Sequence, residues 1–137
     1  MGRKFARAVK LSNGMNRLEN AYAEHLDSLI VAGEIVWWAF EPIRLKLAEK
    51  TYYCPDFLVC TANYELQVHE VKGYWHDDAR VKIKVAAKLF PFRFIAITQR
   101  PKKRGGGWEI EEFTKDDRPE EITPAFGGNR PSRNGTE

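Results

Sequence analysis

The chain has 137 residues, of which 43% are hydrophobic and 30% charged, with a formal net charge of +3. This is the balance of one folded globular domain with a real core rather than of a disordered chain. It contains no apolar run near the roughly 18–20 residues of a membrane span, no apolar stretch behind the charges of Met1-Gly2-Arg3-Lys4-Phe5 as a secretory signal requires, and only Cys54 and Cys60. A secreted disulfide framework is not expected on that count, and a cytoplasmic, reducing location is the expectation.

Residues 1–14 carry Arg3, Lys4, Arg7 and Lys10 and read as a basic, flexible arm. Helical periodicity follows, with Met15, Leu18, Tyr22, Leu26, Leu29 and Ile30 on one stripe. Asn13 is the expected cap and Ala32-Gly33 the expected stop. Strands are expected over 35–40, 43–47, 56–60 and 66–72 from their β-branched, aromatic and apolar content. Gly73 breaks the last of these. Asp77 and Asp78 then suit a helix N-terminus over 79–90, where acidic side chains favour the dipole. Val81, Val85 and Leu89 are expected to face the sheet, and Pro91 ends the helix. A strand over 92–98, a basic turn with three glycines and an edge strand over 108–113 complete the domain, 15–114. Residues 115–137, rich in Pro, Gly, Asn and Arg, read as a disordered tail. The order predicts an α/β fold with a mixed sheet and helices packed on it.

The chemistry concentrates at two strand ends. Pro55-Asp56 opens one strand, and Glu70-Val71-Lys72 closes the next. Side chains alternate along a strand, so Glu70 and Lys72 share a face while Val71 points away. Charges set in apolar strands call for partners, and a hard cation suits converging carboxylates. On the first helix, at about 100° per residue, Tyr22, Leu26 and Ile30 fall within about 60° of Glu19, whereas Glu24 lies about 140° away. Glu19 therefore points into the apolar stripe, where an acid needs a partner. The bland alternative makes Asp56 a turn residue and Glu70 and Lys72 an exposed edge pair.

Tyr53-Cys54-Pro55-Asp56-Phe57-Leu58-Val59 followed by His69-Glu70-Val71-Lys72-Gly73-Tyr74-Trp75 resembles the PD-(D/E)xK nuclease superfamily, and most of all its small phage and prophage endonucleases, which include Holliday junction resolvases. The resemblance covers about residues 15–114. It implies a restriction-endonuclease-like αβββαβ core, with one strand more in this chain. It also implies that Asp56, Glu70 and the Val71 carbonyl bind Mg²⁺ or Mn²⁺, with Glu19 contributing directly or through water. Lys72 would orient or help deprotonate the attacking water and stabilise charge on the phosphorane. Metal would acidify water and neutralise phosphate.

Arg80, Lys84 and Lys88 recur at helical spacing, and Lys102-Lys103-Arg104 precede the glycines. Both sets are candidate phosphate contacts, to be weighed against ordinary solvated surface. Lys82 falls elsewhere on that helix. Cys54, Cys60, His69 and His76 match no common zinc spacing. Trp37, Trp38 and Phe40 read as core; Tyr74 and Trp75 read as core or as stacking surfaces. No base-reading module is present, so branched DNA is the expected substrate. Symmetric cutting of a junction would make the protein a homodimer. Two alternatives stay open: a nuclease acting on ordinary duplex as a restriction or nicking enzyme, and a non-catalytic DNA-binding protein that keeps the fold.

Overall fold

The computed structural model describes residues 13–73 and 77–113. Most of the basic arm, the tail, and Tyr74, Trp75 and His76 lie outside the described residues. The first helix, α1 (Arg17–Val31), starts at Asn16, not at Asn13. Only Asn16 has a glutamate three residues on, and the two form a reciprocal capping box: Glu19 N–H donates to Asn16 Oδ1 at 2.8 Å and Asn16 N–H to Glu19 Oε1 at 2.9 Å. Asn13 instead accepts from Met15 N–H. The helix stops as expected at Ala32, where Gly33 takes the left-handed conformation (φ 77°) that glycine adopts freely.

Five strands form one mixed sheet in the order β1-β4-β5-β6-β7: β1 (Ile35–Phe40), β4 (Phe57–Thr61), β5 (Leu66–Lys72), β6 (Arg93–Gln99) and β7 (Trp108–Phe113). All neighbours are antiparallel except β5 and β6. That parallel pair is joined by α2 (Asp77–Leu89), as parallel neighbours require a crossover. The α/β class and mixed sheet expected from the sequence are what the chain adopts. The strand expected over 43–47 does not join this sheet, however. As β2 (Leu45–Ala48) it pairs with β3 (Thr51–Tyr53) in a separate two-stranded ribbon, turning through Lys50 at φ 54°.

Each sheet face buries its own core. On one side Tyr22, Ala23 and Leu26 of α1 pack on Phe57, Val59, Val71 and Ile97. On the other, Ile83, Ala86 and Ala87 of α2 and Leu45 and Tyr53 of the ribbon pack on Leu58, Val68, Phe94 and Ala96. This corrects the expected phase of α2, since Val81 and Leu89 are more than half exposed. The stripe 83, 86, 87, 90 is also helical in period, and its two alanines let the helix lie close on the strands. Trp37 and Ile30 likewise sit nearer the surface than expected. Among the described residues, no helix is long and apolar enough to cross a membrane.

Candidate metal centre

The antiparallel register Phe40↔Phe57 sets the residue after β1 beside the residue before β4. These are Glu41 and Asp56, and Glu41 N–H donates to the Asp56 carbonyl at 2.7 Å. Glu41 holds a left-handed backbone (φ 46°), which turns the chain towards Pro42. From the first turn of α1, Glu19 reaches the same place. Oxygens of Glu19, Glu41 and Asp56 all lie within 4.8 Å of one another. Glu19 and Asp56 are buried, and Glu41 is exposed.

Glu70 sits against this trio but is held differently. Its Oε2 accepts from the Tyr53 hydroxyl at 2.8 Å and from Asp56 N–H at 3.0 Å. Its Oε1 lies 3.4 Å from the Lys72 ammonium. Asp56 Oδ2 in turn accepts from Val71 N–H at 2.9 Å. So Glu19, Asp56, Glu70 and Lys72 are gathered at one end of the sheet. Val71 meets Asp56 through its N–H, while its side chain packs in the α1-side core.

Burial first, and the charge of Glu70 second, push the Asp56 carboxyl up to about 7. Burial and then Glu70 also raise the Tyr53 phenol far above its ordinary value, so it stays a donor. For Lys72, burial alone would favour the neutral amine. The charges of Glu70, Asp56 and Glu19 outweigh it, and on balance its pKa is raised. Among the described residues, no donor meets the second oxygen of Asp56 or of Glu19. Buried carboxylate oxygens that meet no donor among the described residues, beside further negative charge, fit a hard oxygen-seeking cation. Glu41 is the site residue that sequence reasoning missed. Its one signal was a charge set directly after the apolar segment 35–40.

Under the site, His69 points opposite Glu70, as side-chain alternation along β5 requires. Its Nδ1 is 2.6 Å from the Tyr22 hydroxyl and its Nε2 2.9 Å from Gln67 Oε1. The Gln67 amide donates on to Glu65, which pairs with Arg93. Burial, and then His25, lower the His69 pKa to about 4. The neutral ring then accepts from tyrosine and donates to glutamine.

The basic candidates are distributed unevenly. Lys102, Lys103 and Arg104 form one exposed 3-10 turn between β6 and β7. Because Lys72 pairs with Thr98 in the parallel ladder, that turn lies at the same end of the sheet as Lys72. Lys84 and Lys88 are exposed. Arg80 commits both terminal nitrogens to Glu111 on β7. Lys82, which falls off the basic stripe in the sequence, lines a cavity together with Glu70 and Lys72. No protein-family model, curated protein or solved structure matches the chain.

Proposed function

We propose that the chain is a metal-dependent DNA endonuclease that hydrolyses phosphodiester bonds on a restriction-endonuclease-like core. The observation that carries this reading is the convergence of Glu19, Glu41 and Asp56 oxygens within 4.8 Å, with Glu70 and the Lys72 ammonium beside them. In this reading Glu19, Glu41 and Asp56 would hold Mg²⁺ or Mn²⁺, with Glu70 and the Val71 carbonyl adjoining. The ion would supply charge neutralisation on the phosphate and acidification of water. The chain's own groups do the rest. Val71 N–H fixes one Asp56 oxygen, so the carboxylate is oriented before substrate arrives. Glu70 steadies the Lys72 side chain. Lys72, cationic at neutral pH, donates to the phosphate oxygens as their charge grows. That narrows its role to charge stabilisation and leaves water deprotonation to another group.

The exposed Lys102–Arg104 turn, at the same sheet end, supports backbone contact of the sequence-tolerant kind. Branched DNA is the proposed substrate and a homodimer the proposed working form. A second reading draws on the hydrogen bonds of Glu19 and Glu70. Glu19 caps its own helix and Glu70 is bonded by protein donors, as structural acids would be. This would be a non-catalytic DNA-binding protein.

The test is a panel of four-way junction, flap, duplex and single-stranded DNA, each incubated with Mg²⁺ or EDTA at stated salt. The nuclease reading expects Mg²⁺-dependent cutting that is lost in Asp56→Ala and Lys72→Ala. No cutting of any DNA by the wild type, with binding retained, selects the non-catalytic reading. Equal rates on junction and linear duplex would remove the branched-DNA preference.

A further inference from the structure

The β2–β3 ribbon and the first turns of α2 flank an open cavity of about 330 Å³ whose lining includes Tyr52, Tyr53, Glu70, Lys72, Asp78 and Lys82. That is at the small end of the range for sites that take organic ligands. Glu70 and Lys72 belong both to this cavity and to the candidate site, so its occupant adjoins the reacting phosphate.

The lining selects among ligand types. Two carboxylates, Glu70 and Asp78, oppose a phosphate group inside the cavity. A nucleobase suits it better, because it has a π face for an aromatic ring and exocyclic amino groups for a carboxylate. Glu70 is already satisfied by Tyr53, Asp56 and Lys72. Asp78 is exposed and supplies the acceptor. Tyr52 is 40% exposed, and its ring is steadied by the Arg44 guanidinium 3.9 Å from the ring centroid. A ring already held in place stacks with a smaller entropic cost. Lys72 and Lys82 provide cations for the phosphates on either side of such a base.

We propose that this cavity is a subsite for one unpaired nucleobase next to the cleaved phosphodiester, with Tyr52 as its stacking surface, Asp78 as its acceptor and Lys82 on the adjoining phosphate. The inference rests on the nuclease reading and narrows its substrate class. A base inside a paired stack cannot enter the cavity without being extruded, which costs a few kcal/mol and least where pairing is already broken. The DNA cut here therefore carries an unpaired nucleotide at the cut, as flaps and bulges do, or a base that is readily unpaired, as beside a branch point.

The test uses the full chain in EDTA, so that its readouts do not depend on cleavage. By fluorescence anisotropy, a duplex with one unpaired nucleotide binds about tenfold more tightly than the fully paired duplex of equal length. Tyr52→Ala brings that ratio to about one, and Tyr52→Phe preserves it. Equal wild-type affinities, or a ratio that survives Tyr52→Ala, would overturn the subsite. Tyr52 lies at the surface, and circular dichroism checks that both variants fold. Cys54 provides a second readout, because its exposed thiol lines the same cavity. In a Cys60→Ser background, alkylation of Cys54 by iodoacetamide is slowed by the unpaired-nucleotide DNA and not by inorganic phosphate. Equal protection by inorganic phosphate would overturn the base assignment. If the preference is present but Mg²⁺ yields no cutting of any DNA, the subsite stands and the nuclease reading fails.

Discussion

Asp56 and Glu70 hold each other in place: the Asp56 amide donates to Glu70 Oε2 at 3.0 Å, and Asp56 Oδ2 accepts the amide that follows Glu70 at 2.9 Å. Each bond joins a carboxylate to a backbone donor of the neighbouring segment, a charge-assisted type worth about 1.5–3 kcal/mol. The latch orients both acids, but it also fixes two negative charges close together in a buried place. That arrangement costs stability unless a cation joins it, and the cost can be measured.

Asp56→Asn should stabilise the metal-free protein. The carboxamide oxygen introduced by this substitution can still accept from Val71 N–H, while the buried charge disappears. The folded-state pKa of Asp56 is raised above its ordinary value of 3.8, to about 7. Its ionised form therefore destabilises the fold at pH above about 7, and the penalty fades as pH falls towards 4. Calorimetry in EDTA at pH 8 should show a gain of about 1–3 kcal/mol, shrinking at pH 5. Mg²⁺ should raise the melting temperature of the wild type and leave Asp56→Asn unmoved. A less stable Asp56→Asn in EDTA at pH 8 would mean that the carboxylate is a net structural asset.

His69 should give the opposite slope. Its pKa is lowered from 6.5 to about 4 by burial and then by His25; protonation would also abolish the acceptor that Tyr22 uses. The stability it contributes is complete above pH 6.5 and is lost as pH falls towards 4, by up to about 3 kcal/mol. In the Asp56→Asn background, where the opposing trend is absent, unfolding free energies from urea titrations at pH 7.5 and 4.5 should differ by most of that amount. His69→Gln should flatten the difference. An unchanged slope in His69→Gln would assign it to other groups.

The legible parts of this chain are those whose signal is local. Glu19 falls on the buried stripe of α1 by helical phase alone, and Gly33 marks that helix's end through its backbone freedom. The features that escaped depend on partners distant in sequence. Nothing near Glu41 reveals that it will face Asp56; the register Phe40↔Phe57 does that. Arg80 looks like a free phosphate contact until β7 brings Glu111 beside it. In α2, the stripe Val81, Val85, Leu89 competes with Ile83, Ala86, Ala87 at the same period, and close packing against the strands decides for the alanines. The β2–β3 ribbon was hidden for a simpler reason, since three residues, Thr51–Tyr53, are a weak strand signal.

Glu41 should separate metal binding from folding. It is exposed and outside both cores, so Glu41→Gln should change metal-free stability by no more than about 0.5 kcal/mol. The backbone bond from Glu41 to Asp56 survives the change. Mg²⁺ or Mn²⁺ affinity by titration calorimetry should nevertheless fall at least about tenfold. Glu24→Gln, an exposed acid on the solvent side of α1, serves as the control and should leave affinity unchanged. Equal affinity in Glu41→Gln and wild type would remove Glu41 from the ligand set.

Lys72 should act on the reaction rather than on binding, and as a cation rather than a base. Its neighbours raise its pKa, so it carries charge across the neutral range. Lys72→Met removes a donor aimed at developing phosphate charge and should lower kcat by about 10²–10³. DNA affinity in EDTA should change far less, because one phosphate contact among many is lost. The wild-type rate should also hold steady between pH 8 and 9.5, since the cation persists there. A base working through the neutral amine would make the rate climb across that interval, and such a climb, absent in Lys72→Met, would assign Lys72 the proton-abstracting role instead.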